Sequence, residues 1–209
     1  MLNLLFTNPL VFLIFAVGLV IAITIHEFSH AWVADHLGDP TPRVQGRLTL
    51  NPLSHLDPLG TVALLMIGFG WGKPVEFDPY NLQNRTRDAA LIALAGPTSN
   101  LILAVIASLL IRFVFPASDL IGLALVQLVI INITLAIFNL IPVAPLDGEK
   151  ILYAFLPKAT AIDYQIFMRK NGLFVLLLLM LPIFNGVSPV SRLISPAIEY
   201  VTSLLLAGI

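Results

Sequence analysis

The sequence predicts an all-α polytopic membrane protein. Of its 209 residues, 58% are hydrophobic and 11% are charged, against about 45–50% and roughly 25% in soluble domains. Three stretches without charge are long enough for a bilayer core about 30 Å thick, which takes roughly 20 helical residues. The formal net charge of -1 leaves no basic excess to meet nucleic acid. The lack of cysteine excludes disulfides, iron–sulfur clusters and thiolate metal sites.

The first span is expected at about 8–37. Met1 to Ile25 carries no charge, helix-compatible sequence runs on through His30, and Gly38, Asp39 and Pro40 end it. A cleaved signal peptide fits poorly, because no Lys or Arg precedes the apolar run and no small-residue cleavage site follows it. Residues 41–77 are expected to be re-entrant. Thr41 to Leu50, with Val44, Gly46, Leu48 and Leu50 in alternation, and Lys73 to Phe77 read as short strands. Between them, Pro58 to Gly72 is free of charge but too short for a comfortable crossing, and it ends in Gly68, Gly70 and Gly72. It reads as re-entrant or as lying on the bundle.

Spans at 89–111 and 120–145 follow as an antiparallel pair, turned around Arg112, Pro116 and Asp119. These elements make a core domain of residues 1–156. A C-terminal helical membrane region, 157–209, is divided by Pro182, Gly186, Pro189 and Pro196 into one span plus a surface helix, or into a tight helical hairpin. No internal repeat is present.

Cytoplasmic loops are enriched in Lys and Arg. Arg43, Arg47, Lys73, Arg85 and Arg87 follow the first span, and Lys150, Lys158, Arg169 and Lys170 follow the third, leaving only Arg112 and Arg192 elsewhere. A multi-pass cell-membrane protein with its N-terminus outside satisfies this distribution.

Ionisable groups within a membrane helix are expensive and mark function by default. The first span carries His26-Glu27-Phe28-Ser29-His30. Residues four apart share one helix face, so both imidazoles can grip one ion, and Glu27 stands where a carboxylate can reach a metal-bound water. A catalytic zinc usually takes three protein ligands. Asp147 is the strongest candidate for the third, since Pro142, Pro145 and Gly148 shape the backbone around it at the end of a long apolar span. A solvated turn is the other reading of Asp147, and His36 and His55 are rival ligands. Topology supports Asp147: both spans run outside to inside and deliver the three groups to one face, provided that Pro58 to Gly72 does not cross.

With these features together, the sequence resembles the site-2 protease family of intramembrane zinc metalloproteases, peptidase family M50. The resemblance rests on the His26–His30 motif, on Ala95-Gly96-Pro97-Thr98-Ser99-Asn100, and on the element from Asn139 to Gly148, in that order within apolar spans. It is closest to the compact form without a PDZ domain. Ser29 stands where relatives often carry Gly or Ala. The resemblance implies a three-helix catalytic core, zinc on His26, His30 and Asp147, Glu27 as general base, and short re-entrant β segments that pair with an unwound substrate. It also implies that the enzyme cleaves transmembrane proteins, in regulated intramembrane proteolysis.

A second catalytic group would stabilise the oxyanion, for which Asn139 is the first choice on the resemblance and Asn100 the second. Asn132 matches no motif element and reads as an interhelical hydrogen-bonding residue. An unwound substrate could add to an exposed strand edge, with Gln45, Leu48, Lys73, Val75 and Asn100 as candidate contacts. The alternative of another class is a metal-ion or proton transporter that uses the same His/Asp cluster.

Overall fold

The computed structural model describes residues 2–67, 70–116, 118–183 and 185–208. The elements are helices throughout: α1 (Leu2–Thr7), α2 (Pro9–His36), α3 (Thr41–Val44), α4 (Pro58–Ile67), α5 (Arg85–Phe113), α6 (Leu120–Asn139), α7 (Asp147–Phe155), α8 (Lys158–Met180) and α9 (Pro189–Leu206). Short 3-10 turns lie at Pro52–Ser54 and Pro79–Asn81. Three helices, α2, α5 and α6, are long and apolar enough to cross a membrane.

The first two long helices, α2 and α5, start where side chains meet otherwise free amides. The Asn8 side chain accepts from the Val11 N–H at 3.2 Å, with Pro9 in the first turn. Asn84 does the same for Arg87 at 3.1 Å, while Asp88 accepts from the Asn84 N–H at 2.8 Å. α5 is the centre of the bundle and packs on both α2 and α6. Its buried residues are mostly small, among them Ala93, Gly96, Ala104 and Ala107. Small residues let membrane helices approach closely where water supplies no hydrophobic drive between them.

The third span is shorter than its apolar stretch, since α6 stops at Asn139 and the chain turns through Leu140 to Leu146 before α7 begins at Asp147. Pro142 and Pro145 remove two amide donors from this stretch. A side chain on Gly148 would strike the carbonyl oxygens of Leu140 and Ile141, so only glycine lets α7 fold back this tightly.

The C-terminal region is built from the two helices α8 and α9. α8 lies against the Leu140–Leu146 turn: the Tyr164 hydroxyl donates to the Pro142 carbonyl at 2.8 Å, and Met168, Leu176 and Met180 pack with Ile141, Val143 and Leu146. α9 instead runs along the bundle. Val190 begins beside that same turn, Ile198 and Val201 pack on Ala104 and Val129, and Ser108 donates to the Leu205 carbonyl at 2.7 Å.

Two expectations for residues 41–77 need correction. Among the described residues there is no strand, and within 41–77 the pairing is an isolated antiparallel bridge between Leu56 and Gly72. Thr41 to Val44 is a helical turn because the Asp39 carboxylate, three residues past the end of α2 at His36, accepts from the Thr41 N–H at 3.1 Å and its hydroxyl at 2.6 Å. Lys73 to Phe77 is extended but has no partner strand. Pro58 to Gly72 doubles back on itself: α4 is 10 residues, about 15 Å, and its Gly60 touches the backbone of Trp71. Gly68 lies outside the described residues.

Asp39 holds this region to the bundle. It is fully buried and also accepts from the Asp78 N–H and the Asn81 side chain, each at 2.8 Å. Burial pushes its carboxyl up, and the bonds from Thr41, Asn81 and Asp78 outweigh burial, leaving it below the usual carboxylate range. A depressed carboxyl stabilises the fold fully above its unfolded pKa of about 4, and the contribution is lost as pH falls through the folded value. Asp39→Asn should therefore lower stability by about 2–4 kcal/mol at neutral pH and by less in acid. Denaturant unfolding in detergent, at both pH values, checks this.

Candidate metal centre

His26 and His30 lie one turn apart in α2 and are both buried. Their Nε2 atoms are 3.1 Å apart, and the Asp147 Oδ2 atom lies 3.2 Å from the first and 3.3 Å from the second. The other ring nitrogens are committed. His26 Nδ1 is 2.6 Å from Asn100 Oδ1, and His30 Nδ1 is 2.7 Å from the Ile92 carbonyl. Both partners are acceptors, so each Nδ1 carries the proton and each neutral ring turns an Nε2 lone pair inward.

In this tautomer three lone-pair donors face one another. Asp147 Oδ2 is buried and accepts no hydrogen bond. Such an arrangement is repulsive unless a cation sits among the donors. Two imidazoles and a carboxylate, with room for a water as fourth ligand, match the donor set of catalytic zinc. Gly96 of α5 makes the space: a Cβ there would lie 2.6 Å from His26 Nε2 and closer still to His30 Nε2.

The tautomer is set by a relay from α6. Asn132 Nδ2 donates to the Leu128 carbonyl at 2.8 Å, Asn100 Nδ2 donates to Asn132 Oδ1 at 2.8 Å and to the Ala22 carbonyl at 3.2 Å, and Asn100 Oδ1 is thereby turned toward His26. Both asparagines are fully buried. Outer partners of metal-bound histidines are typically worth about 10–100-fold in metal affinity, so Asn100→Ala should weaken zinc by about that factor, read by competition with a chelator.

Beside the three donors a cleft of about 100 Å³ opens, lined by Glu27, Val75, Phe77, Asn139 and Lys150 as well as by the donors. It holds a few waters, each with a share of roughly 30 Å³, and is far too small for a helix about 10 Å across. Glu27 Oε2 accepts from the Val75 N–H at 3.0 Å, which fixes the carboxylate at the edge of the cleft.

Comparison with known proteins gives the arrangement its context. The model of peptidase family M50 matches residues 116–182. YwhC of Bacillus subtilis (strain 168), named as a candidate zinc metalloprotease, is 40% identical over 152 residues, which are 68% of this chain and 68% of YwhC. The chain belongs to peptidase family M50. The M50 relatives also include Rip2 of Mycolicibacterium smegmatis, likewise named as a candidate zinc metalloprotease, 32% identical over 84% of this chain and 70% of Rip2. Rip2 of Mycobacterium tuberculosis (strain ATCC 25618 / H37Rv) is 30% identical over the same shares. No solved structure gives a match. The relatives are named for zinc, His26, His30 and Asp147 could hold a metal ion, and the transporter reading is not favoured.

For this M50 chain, the residues singled out in the sequence divide into three groups. His26, His30 and Asp147 come together, and Glu27, Asn139 and Val75 line the same cleft. The rival histidines lie elsewhere: His36 is bonded to the Trp32 carbonyl on the exterior of α2, and His55 is fully buried with its Nε2 on the Thr49 carbonyl at 2.7 Å. Asn100 lies behind His26, with its amide bonded to His26, Asn132 and the Ala22 carbonyl, and it does not line the cleft. Gln45, Leu48 and Lys73 do not line the cleft either, and Gln45 is exposed and donates to Glu76 at 3.1 Å.

Sequence reasoning passed over Gly96, Lys150 and Arg47. Arg47 is only 3% exposed in a loop, an unusual place for a guanidinium, and its Nη2 lies 3.9 Å from Glu27 Oε2. Burial pulls its pKa down, and Glu27 and Glu76 are the carboxylates that oppose this.

Proposed function

We propose that this M50 protein is an intramembrane zinc metalloprotease that hydrolyses peptide bonds within or near transmembrane helices. The observation that carries the reading is the convergence of three metal-ligating groups on one point, with Glu27 at the adjoining cleft between apolar helices. His26, His30 and Asp147 would hold zinc, which when bound supplies Lewis acidity, acidifying a water and polarising a carbonyl.

Glu27 takes the proton of the attacking water and passes it to the leaving amide nitrogen, the double role of a positioned carboxylate. Asn139 lines the cleft with its Nδ2 on the Leu135 carbonyl at 3.0 Å. An amide nitrogen has a second hydrogen, which is free to meet the developing oxyanion.

A substrate helix hides its amides in its own hydrogen bonds, so it must unwind before it enters a cleft of this size. Lys73 to Phe77 would receive it. In an extended chain alternate residues face one side. The N–H groups of Lys73 and Val75 turn toward His55 and Glu27, which leaves Pro74 and Glu76 facing away, and proline has no N–H. Glu76 therefore centres the register of an added strand.

The site belongs at the cytoplasmic side. Arg192 follows Val190 at the same end of the bundle as the Leu140–Leu146 turn, so it joins the basic residues of that end, and Arg112, bonded to the Ala207 carbonyl, is left alone at the other. The N-terminus is then outside, and Pro58 to Gly72 enters and leaves from within.

The test is cleavage of a reporter transmembrane helix by purified protein in nanodiscs, before and after zinc removal. Cleavage within or beside the reporter span, lost with zinc and restored by it, is expected. Folded, zinc-loaded protein that cuts none of a panel of reporter helices would end the reading.

A further inference from the structure

Arg47 is a charge placed almost out of solvent, in a loop that ordinarily would leave it in water. Its Nη1 donates to the Ser54 carbonyl and its Nη2 to the Lys73 carbonyl, while Nη2 also lies 3.9 Å from Glu27 Oε2. Three parts of the chain that are distant in sequence, the 52–54 turn, the extended segment at Lys73 and the helix carrying Glu27, therefore meet at one guanidinium. Its Nε has no partner, so the side chain is placed for what its two outer nitrogens reach.

The surroundings show what those contacts hold. The Lys73 N–H donates to the His55 carbonyl at 2.8 Å, and the Val75 N–H donates to Glu27 at 3.0 Å. The extended segment is thus fastened to the loop on one side of Arg47 and to Glu27 on the other. We propose that Arg47 is a positioning residue that sets the Glu27 carboxylate and the 73–75 backbone relative to each other. One side chain then aligns the proton-transferring group with the wall against which the cut chain lies. This rests on the proposed hydrolysis and adds to it a residue that touches neither metal nor substrate.

The flat fork of an arginine suits this task. Two nitrogens at fixed separation reach two carbonyls at once and still present a charge to a carboxylate. Lysine keeps the charge but concentrates it at one flexible point. Arg47→Lys should preserve the compensation for Glu27, and hence folding, while losing the fixed geometry.

The experiment compares wild type, Arg47→Lys and Arg47→Gln in nanodiscs, with folding checked by thermal unfolding and zinc content. In zinc-free protein, hydrogen exchange of a peptide spanning 72–78 should be faster by about tenfold in Arg47→Lys, because the Val75–Glu27 bond opens more often. In zinc-loaded protein, kcat on the reporter helix should fall by about tenfold or more with KM changed less than about threefold, since misplacing a catalytic group by a fraction of a bond length spares binding. Exchange and kcat both within twofold of wild type in folded, zinc-loaded Arg47→Lys would overturn the proposal. The exchange arm needs neither zinc nor cleavage. Failure of wild type to cut the reporter would therefore remove the hydrolytic reading alone, while exchange still decides whether Arg47 ties the two segments.

Discussion

Glu27→Gln is expected to retain one zinc per chain and to cut a reporter transmembrane helix at least about 100-fold more slowly, the usual weight of a positioned acid–base group. The substitution keeps the shape of the side chain and removes its charge, which also faces Arg47 Nη2 at 3.9 Å, so folding is checked alongside. Glutamine has the same shape, and its amide oxygen can still accept from the Val75 N–H that holds Glu27 at 3.0 Å. His26, His30 and Asp147 do not depend on Glu27 for hydrogen bonds. Loss of cleavage with metal retained therefore isolates the transfer of the water's proton. Zinc content by elemental analysis and cleavage by gel, measured on the same preparation, are the two readings. Unimpaired cleavage by a zinc-loaded Glu27→Gln protein would remove Glu27 from its role.

Gly96→Ala is expected to empty the centre. The added methyl would occupy space 2.6 Å from His26 Nε2 and closer to His30 Nε2, so one or both rings must swing away. The helices cannot simply separate, because α5 is buried between α2 and α6 and the Asn132–Asn100–His26 relay spans all three. If about 10–16 kcal/mol of zinc binding is divided over four ligands, losing one costs roughly 3–4 kcal/mol, or roughly 10²–10³-fold in affinity. Chelator competition should show Gly96→Ala as depleted as Asp147→Ala, although the first removes no ligand. Normal zinc affinity in Gly96→Ala would mean that the rings do not meet where the structure places them.

The spans were legible in the sequence because their signal is local. Residues 8–37, 89–111 and the start at Leu120 are largely apolar runs, and α2 and α6 start close to theirs while α5 starts four residues early, at Arg85. The two histidines and Glu27 were legible for the same reason, since helical spacing alone puts them on one face. Asp147 was separable from His36 and His55 only by its place after a broken span, and the 3.2 Å and 3.3 Å distances to the imidazoles agree with that choice.

What escaped depends on partners far along the chain. Thr41 to Leu50 alternates like a strand, but the Asp39 carboxylate captures Thr41 and starts a helical turn instead. Asn100 stands in the sequence as the second choice for the oxyanion, and only the approach of α2 and α6 shows its amide bonded to His26, Asn132 and the Ala22 carbonyl. Arg47 gave no sign at all, since its carbonyl partners at Ser54 and Lys73 carry no side-chain signature.

The break between α6 and α7 also bears on biosynthesis. The two imidazoles emerge early from the ribosome, whereas the aspartate that completes their set arrives only after α6 has inserted and the chain has turned through Pro145. A nascent chain stalled before that turn is an unarmed precursor. On the proposed function, metal capture then waits for the turn that brings Asp147 to the two imidazoles.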